Sequence, residues 1–441
     1  MTSTAPTSTA LLTDHYELTM LQAALHSGAA PRRCIFEVFA RRLPEGRRYG
    51  VVAGTGRLLQ AVRDFRFDSA EIEWLRENHV VDSLTLDFLS GYRFTGNISG
   101  YAEGECFFPS SPLLVVEGTF AESVVLETLL LSILNHDSAI ASAASRMTNA
   151  AGDRPCIEMG SRRTHEWAAV AAARAAYIAG FAATSNLEAG RAYGVPTKGT
   201  SAHSFTLLHD DERAAFEAQV ASLGVATTLL VDTYDVTAAV NLAVEVAGVG
   251  LGAVRLDSGD LLVQARQVRA QLDALGANNT RIVVTSDLDE HSIAALAAAP
   301  VNAYGVGTAL VTGSGAPTVG LVYKLVARED DAGQLIDVAK RSKDKISVGG
   351  RKWALRRLDA GGVAEAEVIG IGTMPPNDGK HPSLTTRPLL VELMRDGNIV
   401  ADLSLDAARR RHELSRAELP PRALQLSRGG PAITTVFDEH R

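Results

Sequence analysis

The middle of the chain alternates between two kinds of segment. Long Ala- and Leu-rich stretches with helical spacing are separated by short apolar runs that end in Gly, Ser, Thr or Asp. This alternation begins near residue 120, is typical of βαβ units and predicts a parallel sheet. The predicted strand ends are residues 157–163, 181–186, 195–204, 229–235, 251–260, 282–287 and 303–308.

The number of polar strand ends favours a barrel over an open sheet. In an open α/β sheet, ligands gather at one switch point between strands. In a β/α barrel, the carboxyl ends of all the strands converge on one mouth. We therefore expect the middle of the chain to form a β/α barrel with its functional side chains at that mouth.

The two ends of the chain have a different pattern, in which short strands mix with helices. The stretch from Leu11 predicts a helix with Thr13 or Asp14 as its N-cap and with its end at Gly28. Asp396-Gly397 between two apolar runs predicts a hairpin. Residues 420–421 and 429–431, rich in Pro and Gly, indicate a loosely held tail. We expect one α+β domain built from both chain ends, with 1–119 as its N-terminal part, 120–315 as the barrel, and 316–441 as its C-terminal part and tail.

Composition excludes several classes of protein. The chain has 441 residues, of which 46% are hydrophobic and 21% charged, and its net charge of -8 gives no electrostatic footprint for nucleic acid. The three cysteines lie far apart, which argues against a disulfide framework or a zinc site and suits a reducing compartment. No uninterrupted apolar run predicts a membrane helix, and the Ser/Thr-rich start does not resemble a signal peptide. We expect a cytoplasmic protein that contacts neither membrane nor nucleic acid.

One strand end, residues 251–260, becomes charged abruptly. Arg255, Asp257 and Asp260 follow an apolar run, and placing all three in a core would be costly, so we expect them to face a cleft. A solvated turn is the alternative for this stretch considered alone. Because side chains alternate along a strand, those of Arg255 and Asp257 are predicted to point the same way.

The other strand ends suit an anionic, phosphorylated ligand. Gly307 and Thr308 follow the last predicted barrel strand, where barrels commonly hold phosphate through backbone N–H groups. Arg162 and Arg255 can clamp a phosphate or carboxylate, and Asp257 and Asp287 can hold Mg²⁺ through water.

His203 lies beside Ser201 on another strand end. An isolated histidine is more often structural. Next to hydroxyl groups and an anion-binding mouth, it could act as a base or as a covalent nucleophile.

Four segments of the chain resemble motifs of the nicotinate phosphoribosyltransferase family. Residues 13–20 resemble TDxYxLTM, 158–163 resemble EFGSRR, 199–204 are similar to GTxAHS, and 255–260 resemble RxDSGD. These motifs occur in family order between Leu11 and about Lys345. The resemblance implies a type II phosphoribosyltransferase with an irregular α/β barrel and a second domain built from both chain ends.

The resemblance also implies an activity. The family condenses nicotinate with phosphoribosyl pyrophosphate to give nicotinate mononucleotide and pyrophosphate, coupled to ATP hydrolysis, in the salvage route to NAD. It further implies a homodimer, in which Asp14 and Tyr16 cross into the neighbouring subunit's site.

Individual roles follow from the matched motifs. His203 matches the histidine that ATP transiently phosphorylates, Arg255 the residue that holds the acid group of the pyridine, and Asp257 a residue near the ribose and diphosphate. Met159 stands where the family usually has a phenylalanine that stacks on the pyridine, and a thioether packs on a ring less rigidly. The other matched substrate-binding residues are Arg162 on the diphosphate side, Ser201 beside the histidine, and Ser286, Asp287, Gly307 and Thr308 around the 5′-phosphate and ribose.

Two alternatives stay open at this point. The same fold could act on nicotinamide or quinolinate, since an arginine favours a carboxylate without excluding an amide oxygen. A barrel of this kind could also be a non-catalytic phosphoribosyl or nucleotide sensor, although a sensor would have no need of His203. Finally, Lys340, Arg341, Lys343 and Lys345 either reach phosphates or form a solvated basic loop.

Overall fold

The computed structural model describes residues 8–340, 348–374 and 385–438. The chain divides into two compact units, with residues 1–139 and 318–441 in unit 1 and residues 140–317 in unit 2. The change of sequence pattern near residue 120 therefore precedes the first division, which falls inside a long helix. The predicted basic residues Arg341, Lys343 and Lys345 lie outside the described residues.

The strands and helices within the described residues are numbered in chain order. The strands are β1 Arg33–Ala40, β2 Gly50–Val51, β3 Asn97–Tyr101, β4 Cys106–Phe107, β5 Leu114–Thr119, β6 Cys156–Glu158, β7 Ala183–Thr184, β8 Thr228–Leu230, β9 Ala253–Leu256, β10 Arg281–Val284, β11 Ala303–Val306, β12 Leu321–Glu329, β13 Leu335–Asp337, β14 Lys352–Leu358, β15 Ala364–Ile371, β16 Thr385–Pro388, β17 Leu390–Arg395, β18 Asn398–Ile399 and β19 Thr434–Phe437. The α-helices are α1 His15–Ser27, α2 Thr55–Asp64, α3 Ser69–Glu77, α4 Ser83–Ser90, α5 Phe120–Val124, α6 Glu127–Ala151, α7 Glu166–Ile178, α8 Leu187–Tyr193, α9 His203–Leu208, α10 Glu212–Leu223, α11 Val236–Ala247, α12 Leu261–Ala274, α13 Glu290–Ala295, α14 Thr308–Val311 and α15 Leu405–Ala417.

Unit 1 is built from both ends of the chain, as expected. Its largest sheet has the order β13-β12-β1-β5-β3-β17-β18, so that the N-terminal strand β1 lies between β5 and the C-terminal strand β12. Both neighbours are antiparallel to β1. Phe36 of β1 stacks on Tyr323 of β12 with ring centroids 4.6 Å apart. The two chain ends thus share one sheet and one hydrophobic core.

The C-terminal region confirms one prediction and overturns another. Asp396 and Gly397 have φ angles of 47° and 73° and join β17 to β18 as a tight hairpin. The predicted loose tail is wrong, because β19 pairs in parallel with β15 and Ala432 and Ile433 are buried. Residues 432–437 provide the strand pairing and the core contacts. The Pro and Gly residues before them suggested a loop instead.

Unit 2 contains a parallel sheet of six strands in the order β7-β6-β11-β10-β9-β8. Successive strands in the chain are neighbours except β7 and β8, and β11 returns to pair with β6, which is the strand order of a barrel with one gap. The ring is open between β7 and β8, so the sheet curls into an incomplete barrel. The predicted β/α barrel is confirmed in this irregular form.

One of the seven predicted barrel strand ends is wrong. Residues 195–204 do not form a strand. Thr197 pairs with Thr184 of β7 in an isolated β-bridge. Pro196 has no N–H group to offer a ladder, and Gly199 weakens extended pairing.

A single helical stretch within the described residues, Phe120–Ala151, is long and apolar enough to cross a membrane by length and composition. Of its most apolar window, 67% is buried inside the protein, as in the core helix of a soluble protein.

Candidate functional site

The carboxyl ends of the barrel strands bring the charged residues of unit 2 together. In β9, Arg255 lies opposite Leu230 of β8 and Val283 of β10. Asp257 follows the last residue of β9, and its Oδ1 lies 3.3 Å from Nη2 of Arg255. The two side chains therefore point the same way, as strand alternation predicts.

Arg255 is held on three sides and is only 12% exposed. Its Nε donates to the hydroxyl of Thr285 at 3.0 Å, and its Nη1 donates to the carbonyl oxygen of Ser201 at 3.0 Å. Thr285 in turn donates to Asp257. Thr285 was not among the residues predicted from sequence, and its only signal was its position at the end of a predicted barrel strand.

His203 is the first residue of α9 and is 38% exposed. Its Nδ1 lies 3.1 Å from the hydroxyl of Thr233. Its Nε2 lies 3.9 Å from Oδ1 of Asp232 and 3.8 Å from Oδ2 of Asp257. One ring nitrogen is therefore anchored to a neutral hydroxyl while the other faces two carboxylates.

Asp232 is a second residue that sequence reasoning missed. Its side chain is only 2% exposed, and its Oδ2 accepts hydrogen bonds of 2.8 Å from the N–H of Asp257 and the hydroxyl of Ser258. Its Oδ1 is buried and has no hydrogen-bond partner among the residues that the structure describes. A buried acceptor left without a donor is costly, so this oxygen marks a place where a ligand is expected.

Asp257 is ionised at neutral pH. Burial raises its pKa, but the hydrogen bond from Thr285 and the Arg255 guanidinium outweigh burial and hold the pKa below its usual value.

Met159 lies beside this cluster. A Cβ atom built on Gly305 would stand 2.7 Å from Sδ of Met159 and 2.4 Å from Cγ2 of Thr285. Only glycine at position 305 therefore lets the thioether and the threonine methyl approach the backbone so closely. Next to Met159, the buried Glu158 accepts hydrogen bonds from Gly160 and Thr184, and burial raises its pKa.

The predicted phosphate-binding residues lie at the exits of β6, β10 and β11. Arg162 is exposed in a short 3₁₀ helix, Ser161–Arg163, directly after β6. A Cβ on Gly160 would stand 3.1 Å from the carbonyl oxygen of Gly307, so the β6 and β11 exits are close neighbours. Gly307 caps α14, of which Thr308 is the first residue.

Ser286 and Asp287 are exposed directly after β10. Ser286 has a φ of 146°, a conformation that costs a non-glycine residue free energy and that is found mainly where a site requires it.

A metal would need donors besides these side chains. Within the described part of the chain, no three or more His, Cys, Asp or Glu side chains are grouped so as to hold a metal ion. Asp257 and Asp287 follow adjacent parallel strands, and carboxylate oxygen is the donor that Mg²⁺ accepts, usually together with water and substrate phosphate.

Asp14 and Tyr16 belong to unit 1. Asp14 caps α1, which ends at Gly28 as predicted. Tyr16 is 45% exposed, and burial, followed by the carboxylate of Glu127, raises the pKa of its hydroxyl.

Comparison with known proteins gives concordant results. The sequence profile described as the nicotinate phosphoribosyltransferase N-terminal domain matches residues 11–135. The chain is 60% identical to nicotinate phosphoribosyltransferase pncB1 of Mycobacterium tuberculosis, over 96% of this chain and 94% of that protein. It is 40% identical to pncB2 of the same organism, over 96% and 90% of the two chains. The crystal structure of human nicotinic acid phosphoribosyltransferase superposes with a TM-score of 0.82 at 28% identity, over 97% of this chain and 98% of that one.

Proposed function

The chain belongs to the nicotinate phosphoribosyltransferase family, and we propose that it condenses nicotinate with phosphoribosyl pyrophosphate. The pyridine nitrogen forms a bond to C1 of the ribose, and the bond from C1 to the pyrophosphate oxygen breaks, so pyrophosphate leaves with the electron pair. The products are nicotinate mononucleotide and pyrophosphate. The observation that carries the proposal is the contact of Arg255, Asp257 and His203 at the mouth of the barrel.

Arg255 binds the carboxylate of nicotinate in this proposal. Of the five N–H groups of an arginine, three are used by Thr285, Ser201 and Asp257. Among the contacts of the described residues, the remaining N–H on each terminal nitrogen of Arg255 has no partner. Two such donors on one planar group match the two oxygens of a carboxylate.

Asp257 acts on the ribose side. Departure of pyrophosphate leaves positive charge on the ribose ring, and a carboxylate held ionised and in place stabilises that charge. The transfer needs no protein nucleophile, so positioning and electrostatics supply the acceleration. We assign the diphosphate to Arg162, and the 5′-phosphate and ribose to Ser286, Asp287, Gly307 and Thr308.

His203 couples the reaction to ATP. The hydrogen bond between Nδ1 and Thr233 leaves Nε2 as the nitrogen that takes the γ-phosphoryl group, with ADP as the leaving group. Water later hydrolyses the N–P bond and releases phosphate. The phosphoryl group adds about -1.5 to -2 charges, by analogy with other phosphorylated side chains. Since Nε2 already faces Asp232 and Asp257, this added charge repels both carboxylates and alters substrate affinity.

Asp257 and Asp287 would hold Mg²⁺ through water beside the phosphorylated substrate. The ion would supply positive charge that offsets the charge of the pyrophosphate.

The proposal extends to assembly and place in the cell. We propose a cytoplasmic homodimer that serves NAD salvage, with Asp14 and Tyr16 reaching the active site of the neighbouring subunit. The exposure of Tyr16 supports its availability for such a contact.

The test of the reaction is direct. Purified protein is mixed with phosphoribosyl pyrophosphate, Mg²⁺, ATP and one of nicotinate, nicotinamide or quinolinate, and both pyrophosphate and the mononucleotide are measured. We expect kcat/KM for nicotinate to exceed the values for the other two pyridines. A preference for another pyridine would change the substrate assignment, and the absence of product with all three would favour a sensor.

ATP coupling has its own test. We expect His203→Ala to abolish stimulation of nicotinate mononucleotide formation by ATP, because the phosphoryl acceptor is gone. Full ATP stimulation in this variant would overturn the role of His203. His165→Ala is a matched control, since His165 is exposed on the same unit and is 68% accessible at its side chain.

A further inference from the structure

We propose that Thr285 is a positioning residue that fixes Arg255 relative to Asp257 and thereby sets the preference for a pyridine acid over its amide. This inference rests on the proposed function. It concerns a threonine that matches none of the four family-like motifs.

The hydroxyl of Thr285 is suited to join these two groups. An arginine only donates hydrogen bonds, and an ionised carboxylate only accepts them, so a group between them must accept from one and donate to the other. The Thr285 oxygen accepts from Nε of Arg255 at 3.0 Å and donates its single proton to Oδ1 of Asp257. Its other donor contact, to the carbonyl oxygen of Leu256, is longer at 3.5 Å.

The rest of Thr285 holds that hydroxyl still. The residue is only 4% exposed, and its backbone N–H donates to the carbonyl oxygen of Leu256 at 2.9 Å. Its methyl group fills the space over Gly305, where a Cβ atom would stand 2.4 Å away. Exchanging the methyl and hydroxyl positions by rotation would set the methyl against Nε of Arg255 and Oδ1 of Asp257, where the hydroxyl now bonds. The hydroxyl position is therefore fixed by packing as well as by hydrogen bonds.

Fixing Arg255 matters for substrate choice. The remaining N–H on each terminal nitrogen can meet two carboxylate oxygens, whereas an amide presents one oxygen and one NH₂ group, and that NH₂ would face an N–H. This discrimination depends on the angle of the guanidinium plane. Thr285 bonds Nε, the one nitrogen that neither Ser201 nor Asp257 contacts, and so prevents the plane from turning.

The experiment compares two variants of Thr285 with a matched control. Thr285→Val keeps the shape and removes the hydroxyl, while Thr285→Ser keeps the hydroxyl. Thr280→Val is the control, because Thr280 is 1% exposed at the opposite end of β10 and donates its hydroxyl to the carbonyl oxygen of Leu251 at 2.9 Å. For each, kcat and KM are measured with nicotinate, nicotinamide and phosphoribosyl pyrophosphate, alongside thermal unfolding.

We expect Thr285→Val to lower kcat/KM for nicotinate by about 10- to 100-fold, mainly through KM, as for a buried polar group left unpaired. The ratio of kcat/KM for nicotinate to that for nicotinamide should fall, and Thr285→Ser should restore most of it. Thr280→Val should destabilise the protein and leave both the ratio and KM unchanged.

An unchanged substrate ratio in Thr285→Val, or an equal fall in Thr280→Val, would overturn the inference. If Thr285→Val does not fold, the ratio between Thr285→Ser and Thr285→Ala isolates the hydroxyl in the same way. The wild type separates the two claims: no product from the wild type contradicts the proposed function, whereas wild-type activity with an indifferent Thr285 contradicts only this inference.

Discussion

Each compact unit of this chain contains a cluster of buried charge, and the two clusters differ in how their carboxylates are satisfied. In unit 1, Arg356 and Glu367 are fully buried and bond at 2.8 Å, and Arg387 joins Glu105 at 2.9 Å and Glu418 at 2.7 Å. Both oxygens of Glu367 and of Glu105 accept hydrogen bonds from within the cluster.

The unit 2 cluster is open by comparison. His203 and Asp257 are 38% and 28% exposed, and Oδ1 of Asp232 has no hydrogen-bond partner within the described part of the chain. In the sealed cluster of unit 1, Nε and Nη1 of Arg356 also lack a hydrogen-bond partner among the described residues, but Arg356 is fully buried, so no ligand reaches them. An accessible cluster with unused donors and acceptors is what a binding site requires. The accessibility of the charged groups, rather than their number, therefore separates a candidate binding site from a structural cluster.

The largest expected effect is the loss of stability when one partner is removed from the sealed cluster of unit 1. Arg356→Met leaves Glu367 without its cation, and we expect a loss of about 3–5 kcal/mol in the free energy of unfolding, measured with urea. The double variant Arg356→Met/Glu367→Leu should recover part of this loss, because no lone buried charge remains. A single variant as stable as the wild type would show that the cluster does not hold unit 1 together.

In unit 2, a single methyl group should damage the mouth of the barrel. Gly305→Ala places a Cβ against Thr285 and Met159, at 2.4 Å and 2.7 Å. Displacing side chains by such distances should lower kcat/KM for nicotinate by about 100-fold. In the control Gly250→Ala, the nearest atom would lie 4.0 Å from the new Cβ, and activity should not change. Equal activity of the two variants would contradict the described packing.

A third prediction concerns the loss of stability in acid that His412 of unit 1 causes. Burial, followed by the charge of Arg416, lowers the pKa of His412 in unit 1 to about 3. The unfolded chain takes up this proton near pH 6.5, so stability is complete above that pH and declines as pH falls towards 3. The slope attributable to His412 is about 1.4 kcal/mol per pH unit at most.

Urea unfolding at pH 7, 6, 5 and 4 checks this slope. His412→Gln should lose stability less steeply than the wild type as the pH falls, whereas His165→Gln, at an exposed site, should follow the wild type. Parallel curves for the wild type and His412→Gln would rule out the contribution of His412.

The smallest effect is expected at Met159. Met159→Phe should lower KM for nicotinate, because a ring stacks on a pyridine more rigidly than a thioether packs on it. Steady-state kinetics with nicotinate measure this. An unchanged KM would count against Met159 lining the base pocket.

Much of the fold could be predicted because it depends on local patterns. The alternation of helix and strand predicted the barrel, and the Asp396-Gly397 turn predicted the hairpin. The strand β19 could not be predicted, because its four residues form a strand only by pairing with distant β15.

The residues of the candidate site also divide into those that local sequence predicts and those that depend on the tertiary fold. Arg255 and Asp257 could be predicted because charge follows an apolar run within one segment. Thr285 and Asp232 have ordinary local sequences, and their contacts with Arg255 and Asp257 arise from the parallel register that sets β10 and β8 on either side of β9. The neighbours of a strand end, which determine what its side chains bind, are set by the tertiary fold.

The most direct measurement compares two buried arginines, Arg255→Lys in unit 2 and Arg356→Lys in unit 1. A lysine cannot reproduce the planar donor set of either one. We predict that Arg255→Lys lowers kcat/KM for nicotinate by about 100-fold, as for loss of a bidentate ion pair, and changes the free energy of unfolding by only about 1 kcal/mol. Arg356→Lys should lose about 3 kcal/mol of stability while its folded fraction keeps the wild-type kcat/KM. Nicotinate turnover that survives Arg255→Lys and is lost in folded Arg356→Lys would contradict the account.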